Sequence, residues 1–295
     1  MAIVVGCGVW SSVRAATPPE TILTDDRGRG LPIAPGAKRI VSLAPHLSEI
    51  VVALGAVARL VAVDPHSDAS EIPSNLPRIA AYPQPDPERL LAVSPDLVLL
   101  WGEGLSPTML ARLEQAGLRV FVSQPRSLEA IAQSLERLGM LLDVSEKAKE
   151  QAREFRTKVD HIASRYARRD PLPVFVQIWE LPLITIGAGT VMADALLRCG
   201  VRNVADTLIG SAPRLSPEHV ITLRPALIIS TLSQSSDLRW RRLGVVSDSA
   251  HSARFLQFNE SAIERPSPKI LQSLERLCAL IDSHRPAHVA LPSGR

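Results

Sequence analysis

Aromatic and ionisable side chains collect in a few short loops, most of which follow an apolar segment. The set comprises Pro45, His46, His66, Tyr82, Trp101, Trp179, Glu264 and Arg265. Aromatic residues make up only 4% of the sequence, so their concentration in such loops is informative. Indole and phenol rings can stack on a large flat ligand, which favours non-covalent binding. For Trp101 and Trp179, packing at the end of a strand is an equally good interpretation, whereas the Pro-rich loop of Tyr82 favours binding.

The spacing of the reactive side chains does not support catalysis. Gly102-Glu103-Gly104 lacks the third glycine and the helix of a phosphate-binding loop, and no G-x-S-x-G elbow is present. His66-Ser67-Asp68 are adjacent in sequence, which does not give the geometry of a catalytic triad. His46 and His66 have no third ligand at a convincing spacing, so no metal site is predicted. We expect a protein that is not an enzyme and has no resident cofactor.

Short apolar strands alternate with helices along most of the chain. Ala44 to His46 are predicted to form a loop after the first strand. Such alternation is typical of an α/β fold with parallel sheets, whose ligands bind at the carboxyl ends of the strands. The predicted strands are 39–43, 60–63, 97–101, 119–122, 173–178 and 255–258.

One helix-turn-strand unit occurs twice. Segment 86–100 reads DPERLLAVSPDLVLL and segment 216–230 reads SPEHVITLRPALIIS, at an offset of 130 residues. Each copy begins a helix with Pro followed by an exposed Glu, and a second Pro ends it before a buried strand. The duplication predicts two similar Rossmann-like lobes, each with a carboxylate at the start of one helix.

A long amphipathic segment separates the two halves. Its apolar positions recur every three or four residues, which predicts one backbone helix of about 24 residues that joins the lobes. We therefore divide the chain into a leader and lead-in (1–37), an N-terminal lobe (38–142), the connecting helix (143–170) and a C-terminal lobe (171–295). The expected apolar face is Ala148, Ala152, Phe155, Val159, Ile162 and Tyr166.

Composition limits the remaining classes of protein. The chain has 295 residues, 46% of them hydrophobic, and a net charge of +3. This charge is mild and spread along the chain, so nucleic-acid binding is not favoured. No apolar run approaches the roughly 20 residues of a membrane span.

The first 20 residues suggest export. Val13 to Ala16 is similar to a signal-peptidase site, although a basic start is absent. Val4 to Cys7 also fits a loose lipoprotein box, in which Cys7 would carry the lipid. A third interpretation is an unstructured cytoplasmic tail.

Two further cysteines remain once Cys7 is set aside. An even pair in an exported protein favours a disulfide between Cys199 and Cys278, which would link two helices of the second lobe. Two buried free thiols are the alternative.

Three segments carry a family resemblance: RIVSLAPHLSEIVVALG (39–55), LVAVDPHSD (60–68) and DPERLLAVSPDLVLLW (86–101). They resemble the periplasmic substrate-binding proteins with a helical backbone that serve ATP-driven importers of cobalamin, haem and ferric siderophores. The likeness extends from about residue 25 to 285 and is strongest to the cobalamin-binding members. It implies a monomer that binds its ligand between two lobes, with little lobe closure.

The resemblance also implies roles for particular residues. The family's permease-docking glutamates fall on Glu88 and Glu218, and its paired cysteines fall on Cys199 and Cys278. Among the ligand-contacting positions of the cobalamin-binding members, Pro45, Trp101, Glu264 and Arg265 match, and Arg265 would meet a phosphate or propionate. His66, Tyr82 and Ala262 replace aromatic residues of those members.

These departures leave two ligand classes open. We expect a periplasmic binding protein that delivers cobalamin or a related corrinoid to the transmembrane subunits of an ABC importer. The alternative is haem or a ferric siderophore on the same scaffold, because His66 and Tyr82 are suitable axial ligands for iron. A metal-dependent enzyme would require a His/Asp/Glu cluster that the sequence does not show.

Overall fold

The computed structural model describes residues 22–33, 36–68, 70–167, 170–232, 236–247, 249 and 252–285. Cys7, the predicted cleavage site at Val13 to Ala16 and the C-terminal tail lie outside the described residues. Within the described part of the chain, no helix combines the length and apolarity that crossing a membrane demands.

An antiparallel hairpin precedes the first lobe and packs onto it. Its strands are β1 (Ile22–Thr24) and β2 (Gly30–Pro32). Leu23 and Leu31 are buried in the core of the molecule. Arg27 Nη2 donates to the carbonyls of Gly102 (2.6 Å) and Leu105 (3.0 Å). The hairpin thereby braces the loop that follows Trp101.

The N-terminal lobe is a four-stranded parallel sheet in the order β4-β3-β5-β6. The strands are β3 (Ile40–Ser42), β4 (Leu60–Val63), β5 (Leu97–Trp101) and β6 (Val120–Ser123). Helices α1 (Pro45–Ala53), α2 (Pro87–Ala92), α3 (Pro107–Gln115) and α4 (Leu128–Leu141) accompany them.

The prediction of a loop at residues 44–46 is wrong, because helix α1 begins at Pro45. Ala44 has the extended backbone of an N-cap, and Pro45 occupies the first helical position, where its fixed φ is favourable and its missing N–H is no loss. His46 therefore belongs to the first turn of a helix and is buried.

The C-terminal lobe repeats this architecture. Its parallel sheet has the order β8-β7-β9-β10, formed by β7 (Leu172–Gln177), β8 (Val201–Asn203), β9 (Leu227–Ser230) and β10 (Arg254–Gln257). The helices are α6 (Val191–Arg198), α7 (Pro217–Leu223), α8 (Asp237–Arg242) and α9 (Ile270–Ser283). In this sheet β8, β7, β9 and β10 occupy the positions that β4, β3, β5 and β6 occupy in the first sheet. The strand order therefore confirms the predicted duplication.

The duplicated unit agrees in detail between the lobes. Helices α2 and α7 both start with Pro and are capped by the side chains of Asp86 and Ser216. Soon after each helix one non-glycine residue has a positive φ, 45° at Ser94 and 47° at Arg224. These two residues are also 130 positions apart. In both copies, therefore, the residue directly before Pro has a left-handed backbone conformation and makes the turn from helix to strand.

The connecting helix α5 is Ser145–Tyr166, 22 residues or about 33 Å long. All six residues of its expected apolar face are buried. The helix packs against α4 of the first lobe and against α6 and α9 of the second. One apolar cluster extends through it from lobe to lobe. A hinge motion would have to disrupt this packing, which opposes large lobe movements.

A disulfide joins Cys199, the C-cap of α6, to Cys278 in the middle of α9. Both residues are buried. Residues 38–142 of the first lobe contain no cysteine, so this covalent link is a feature of the second lobe alone.

Candidate functional site

The carboxyl ends of the strands of both lobes border a crevice that contains two cavities. The N-lobe cavity, of about 290 Å³, lies among loops of the first lobe. The interlobe cavity, of about 310 Å³, has walls from both lobes. Trp101 and Glu103 line both cavities, so the two spaces are parts of one site.

The N-lobe cavity brings together four of the predicted ligand-contacting residues. Pro45, His66, Tyr82 and Trp101 line it with Asp64 and the prolines on either side of Gln84. The backbone N–H of His66 donates to Asp64 Oδ1 (2.9 Å), and its ring Nδ1 lies 3.2 Å from the same oxygen. Asp64 thus orients an exposed imidazole at the cavity edge.

The interlobe cavity contains wall residues that the sequence analysis missed. Gln124 and Arg126 lie just beyond the carboxyl end of β6, where the general rule for parallel sheets could have found them. No pattern in the sequence predicts the apolar wall from the second lobe, because its residues come from separate loops and a helix start. That wall includes Ile178, Ile186, Val191 and Met192.

Trp101 is the last residue of β5 and projects from the sheet edge with 42% of its surface exposed. Gly102 follows because there is no room for a side chain. A Cβ at that position would approach Gln124 Oε1 to 2.9 Å and Val122 Cγ1 to 3.1 Å. The indole contacts the His46 ring edge-on, with centroids 5.8 Å apart. The ring is therefore supported from behind and free to contact a ligand in front.

His46 is the support of this indole and lines neither cavity. It is buried, and among the described residues its Nε2 has no hydrogen-bond partner. Burial, with a smaller effect of the nearby positive charge of Arg265, lowers the pKa of His46 from 6.5 to about 3. The imidazole is therefore neutral at physiological pH. Direct ligand contact by His46 stays a prediction, and in this structure α1 turns the side chain into the lobe, behind the Trp101 indole.

Arg265 is paired within the protein. Its Nη1 donates to Glu49 Oε1 (2.8 Å), and Ser267 Oγ donates to the other oxygen of the same carboxylate. Glu49 belongs to α1, so these contacts tie the first lobe to the loop before α9. Contact of Arg265 with an anionic group of the ligand stays a prediction, and in this structure a carboxylate of the protein accepts from its Nη1.

Trp179 follows β7, as predicted, but lines neither cavity. Its Nε1 donates to the carbonyl of Leu181 (3.1 Å), and 57% of its surface is exposed. Its neighbour Ile178 contacts the interlobe cavity instead.

Negative charge dominates the ionisable lining of the two cavities. Asp64, Glu103 and Glu264 contribute carboxylates, and Arg126 contributes a guanidinium. Within the described part of the chain, no group of three or more His, Cys, Asp or Glu residues could hold a metal ion. The site offers apolar surface, one exposed indole and hydrogen-bonding groups.

Residues 40–241 match the family model for periplasmic binding proteins. The chain belongs to the periplasmic binding protein family. A vitamin B12-binding protein of Yersinia pestis is 32% identical over 250 residues, which cover 83% of this chain and 86% of the relative.

Solved structures of periplasmic binding proteins show the same two-lobed fold. The periplasmic vitamin B12-binding protein BtuF of Vibrio cholerae superposes with a TM-score of 0.74 at 29% identity, covering 84% of this chain and 98% of the other. A periplasmic haem-binding protein from Pseudomonas aeruginosa gives a TM-score of 0.66 at 26% identity, covering 83% and 92%. The fold and the family predicted from the sequence are therefore confirmed.

This periplasmic binding protein presents one exposed glutamate at the start of each duplicated helix. Glu88 and Glu218 both follow the first-position Pro, and helices that run antiparallel to a parallel strand start at its carboxyl edge. Both helix starts therefore lie at the crevice edge of their sheets. The backbone N–H of Glu218 and the hydroxyl of Ser216 lower the pKa of the Glu218 carboxyl, with a small contribution from Arg239.

Proposed function

We propose that this periplasmic binding protein binds cobalamin or a related corrinoid in the crevice and delivers it to an ABC importer. The observation that carries the proposal is the exposed indole of Trp101 where the two cavities meet. An indole face and apolar walls suit a large, flat ring. The vitamin B12-binding names of the relatives support the same ligand class.

Charge favours a corrinoid over haem. The side chains of a cobalamin ring end largely in neutral amides, whereas haem carries two propionates. Carboxylates of a ligand would face Asp64, Glu103 and Glu264, with Arg126 as the guanidinium of the lining. Amides can donate to these carboxylates, but propionates would be repelled by them.

Binding in both cavities would replace one contact between the lobes. Ser211 Oγ of the second lobe donates to the carboxylate of Glu103 in the first. A ring that spans the two cavities takes the place of this hydrogen bond, and amide groups of the ligand can satisfy both partners. The continuous core through α5 keeps the accompanying lobe movement small.

Delivery would use the two exposed glutamates. Glu88 and Glu218 would form ion pairs with basic residues on the transmembrane subunits, one from each lobe. We assign the protein to the periplasm, reached by a cleaved signal peptide or held by lipid on Cys7, and we assign it no catalytic role.

Equilibrium titration tests the ligand class directly. The purified protein is titrated with cyanocobalamin, dicyanocobinamide and hemin while tryptophan fluorescence and the visible spectrum are recorded. We expect saturable quenching by both corrinoids and weaker binding of hemin. Binding of hemin alone would overturn the proposal.

Haem remains the second candidate because His66 and Tyr82 line the same N-lobe cavity. Either side chain can ligate iron. This candidate predicts a Soret band that shifts on hemin binding and is lost after His66→Ala or Tyr82→Phe. A spectrum insensitive to both changes would exclude axial ligation by these residues.

A further inference from the structure

A buried ion pair connects the lobes next to the interlobe cavity. The Glu49 side chain is only 4% exposed, yet it carries a carboxylate. Its oxygens accept hydrogen bonds from Arg265 Nη1 (2.8 Å) and from Ser267 Oγ. A carboxylate at such depth is tolerated when it is paired and hydrogen-bonded, because desolvation of an unpaired charge is very unfavourable.

Arg265 uses only part of its hydrogen-bonding capacity in this pair. A guanidinium has five N–H donors, and the described residues accept from Arg265 Nη1 alone, through Glu49. The side chain is 32% exposed. Its sequence neighbours Glu264 and Pro266 both line the interlobe cavity. Arg265 itself lines neither cavity, but it lies between two residues that do, and it has donors to spare.

The surroundings of Arg265 do not restore a positive charge. His46 is neutral at physiological pH. Hydrogen bonds from Ser70, with smaller effects of Lys269 and Arg265, lower the pKa of the Asp68 carboxyl, and Lys269 is paired with Glu71. Glu49 and Arg265 together carry no net charge. The pair can therefore offer hydrogen-bond donors without a net positive charge.

We propose that Glu49 is a specificity-determining residue, which neutralises Arg265 and thereby selects ligands with amide side chains over ligands with carboxylate side chains. The inference rests on the proposed corrinoid function. An amide oxygen accepts the spare N–H groups of Arg265 and keeps its own N–H groups for the carboxylates of the crevice. A ligand carboxylate would lose hydration there without gaining an uncompensated cation.

A second pair between the lobes provides a matched control. Lys269 Nζ lies 2.5 Å from Glu71 Oε2, but the Glu71 side chain is 47% exposed, and neither these two residues nor their sequence neighbours line the two cavities. Glu71→Gln removes the same charge from the same seam, in contact with solvent that screens it.

The test compares two corrinoids that share a ring. In dicyanocobyrinic acid the ring side chains end in carboxylates, and in its all-amide counterpart they end in amides. The dissociation constants of both are measured by fluorescence titration for the wild type and for Glu49→Gln, which keeps the shape and one acceptor oxygen. We expect the ratio of acid to amide constants to fall about tenfold in Glu49→Gln. In Glu71→Gln it should change less than about twofold.

Arg265→Gln keeps the proposal testable if Glu49→Gln does not fold. This change leaves the Glu49 charge uncompensated, so the ratio of acid to amide constants should rise. An unchanged ratio in a folded variant of either residue, or an equal effect of Glu71→Gln, would overturn the proposal. If the wild type binds neither corrinoid, the proposed function has failed; hemin and its neutral dimethyl ester then serve as the same charged and uncharged pair, and the same expectations for Glu49 apply.

Discussion

The two lobes have the same strand order, and their duplicated helices end in the same left-handed turn. They differ where the duplicated strand meets the crevice. Strand β5 ends in the exposed indole of Trp101, whereas β9 ends in buried Ser230, and the next residue, Thr231, donates its N–H back to the carbonyl of Gln177 (3.0 Å). Duplication therefore reproduced the scaffold and its surface glutamates, while only one lobe presents an aromatic face at this position.

In the second lobe the polar residue at the end of β7 forms hydrogen bonds within the lobe. Gln177 Oε1 accepts from Trp240 Nε1 (2.8 Å) and from Ser236 Oγ (3.0 Å), and all three residues are buried. The same lobe holds the disulfide. Its contribution to the interlobe cavity is mainly apolar, with one carboxylate from Glu264, so we expect changes in the apolar wall to alter stability more than ligand affinity.

Docking is the function in which the lobes should be equivalent, and it carries the largest expected effect. Glu88→Ala combined with Glu218→Ala should reduce ligand uptake into cells to below about a tenth, because both ion pairs with the importer are lost. Each single change should cause a similar partial loss. Ligand affinity of the purified double variant should stay at the wild-type value.

Glu146→Ala is the matched control for docking. Glu146 is also an exposed first-turn glutamate, but it lies on the connecting helix and pairs with Lys149 (2.8 Å). Its loss should leave uptake unchanged. Uptake that survives the double change would refute the docking role, and a loss from one lobe only would break the equivalence.

Removal of the disulfide should destabilise the second lobe more than the first. Cys199→Ala with Cys278→Ala removes a bridge between residues 79 positions apart and should lower the free energy of unfolding by about 3 kcal/mol. Urea titration measures the loss, and hydrogen exchange should increase in α6 and α9 more than in the first sheet. Reductant should reproduce the effect in the wild type and have none on the variant. Equal stability of oxidised wild type and variant would contradict this.

Removal of a tryptophan side chain should lower ligand affinity more in the first lobe than in the second. Trp101→Ala is expected to raise the dissociation constant for dicyanocobinamide about 30-fold, or about 2 kcal/mol, because a central stacking ring is lost. Trp179→Ala removes the same side chain from the second lobe, away from both cavities, and should raise it less than about threefold. Comparable effects of the two changes would show that the lobes share the ligand equally.

Acid should weaken the first lobe through His46, by a small step for each pH unit. In the unfolded chain His46 gains its proton near pH 6.5, but in the folded protein only near pH 3. The unfolded state therefore binds the extra proton across this window, and the free energy of unfolding should fall by about 1.4 kcal/mol for each pH unit within it. Urea titrations at several pH values measure this slope.

His46→Phe is the control for the acid effect. The phenyl ring can keep the edge-on contact with Trp101 and cannot be protonated. The slope between pH 6 and 4 should be about 1.4 kcal/mol per unit smaller than in the wild type. An identical slope in the two proteins would show that His46 is not the responsible group.

Local patterns in the sequence predicted what depends on local physics. The sequence predicted the apolar face of α5, the starts of α2 and α7 with their Pro and capping residues, and the position of Trp101 at a strand end. These features could be predicted because periodicity and helix starts involve neighbours in the chain. They were sufficient for the fold and for most of the N-lobe cavity.

Contacts between distant segments were beyond such reasoning. Glu49 and Arg265 are 216 positions apart, and the sequence around neither residue indicates which side chain it pairs with. The second lobe's wall likewise depends on how α6 approaches β6 across the crevice. His46 was misplaced for a local reason, because the helix start at Pro45 went unrecognised.

The unequal roles of the lobes can be tested in one measurement, a crystal structure of the protein with dicyanocobinamide. We predict that the corrin ring lies in the crevice with its face in van der Waals contact with the Trp101 indole, about 3.5 to 4 Å away. The walls of the second lobe should contact only the ring edge and side chains. A ring stacked on Trp179, or bound outside the crevice, would contradict the account.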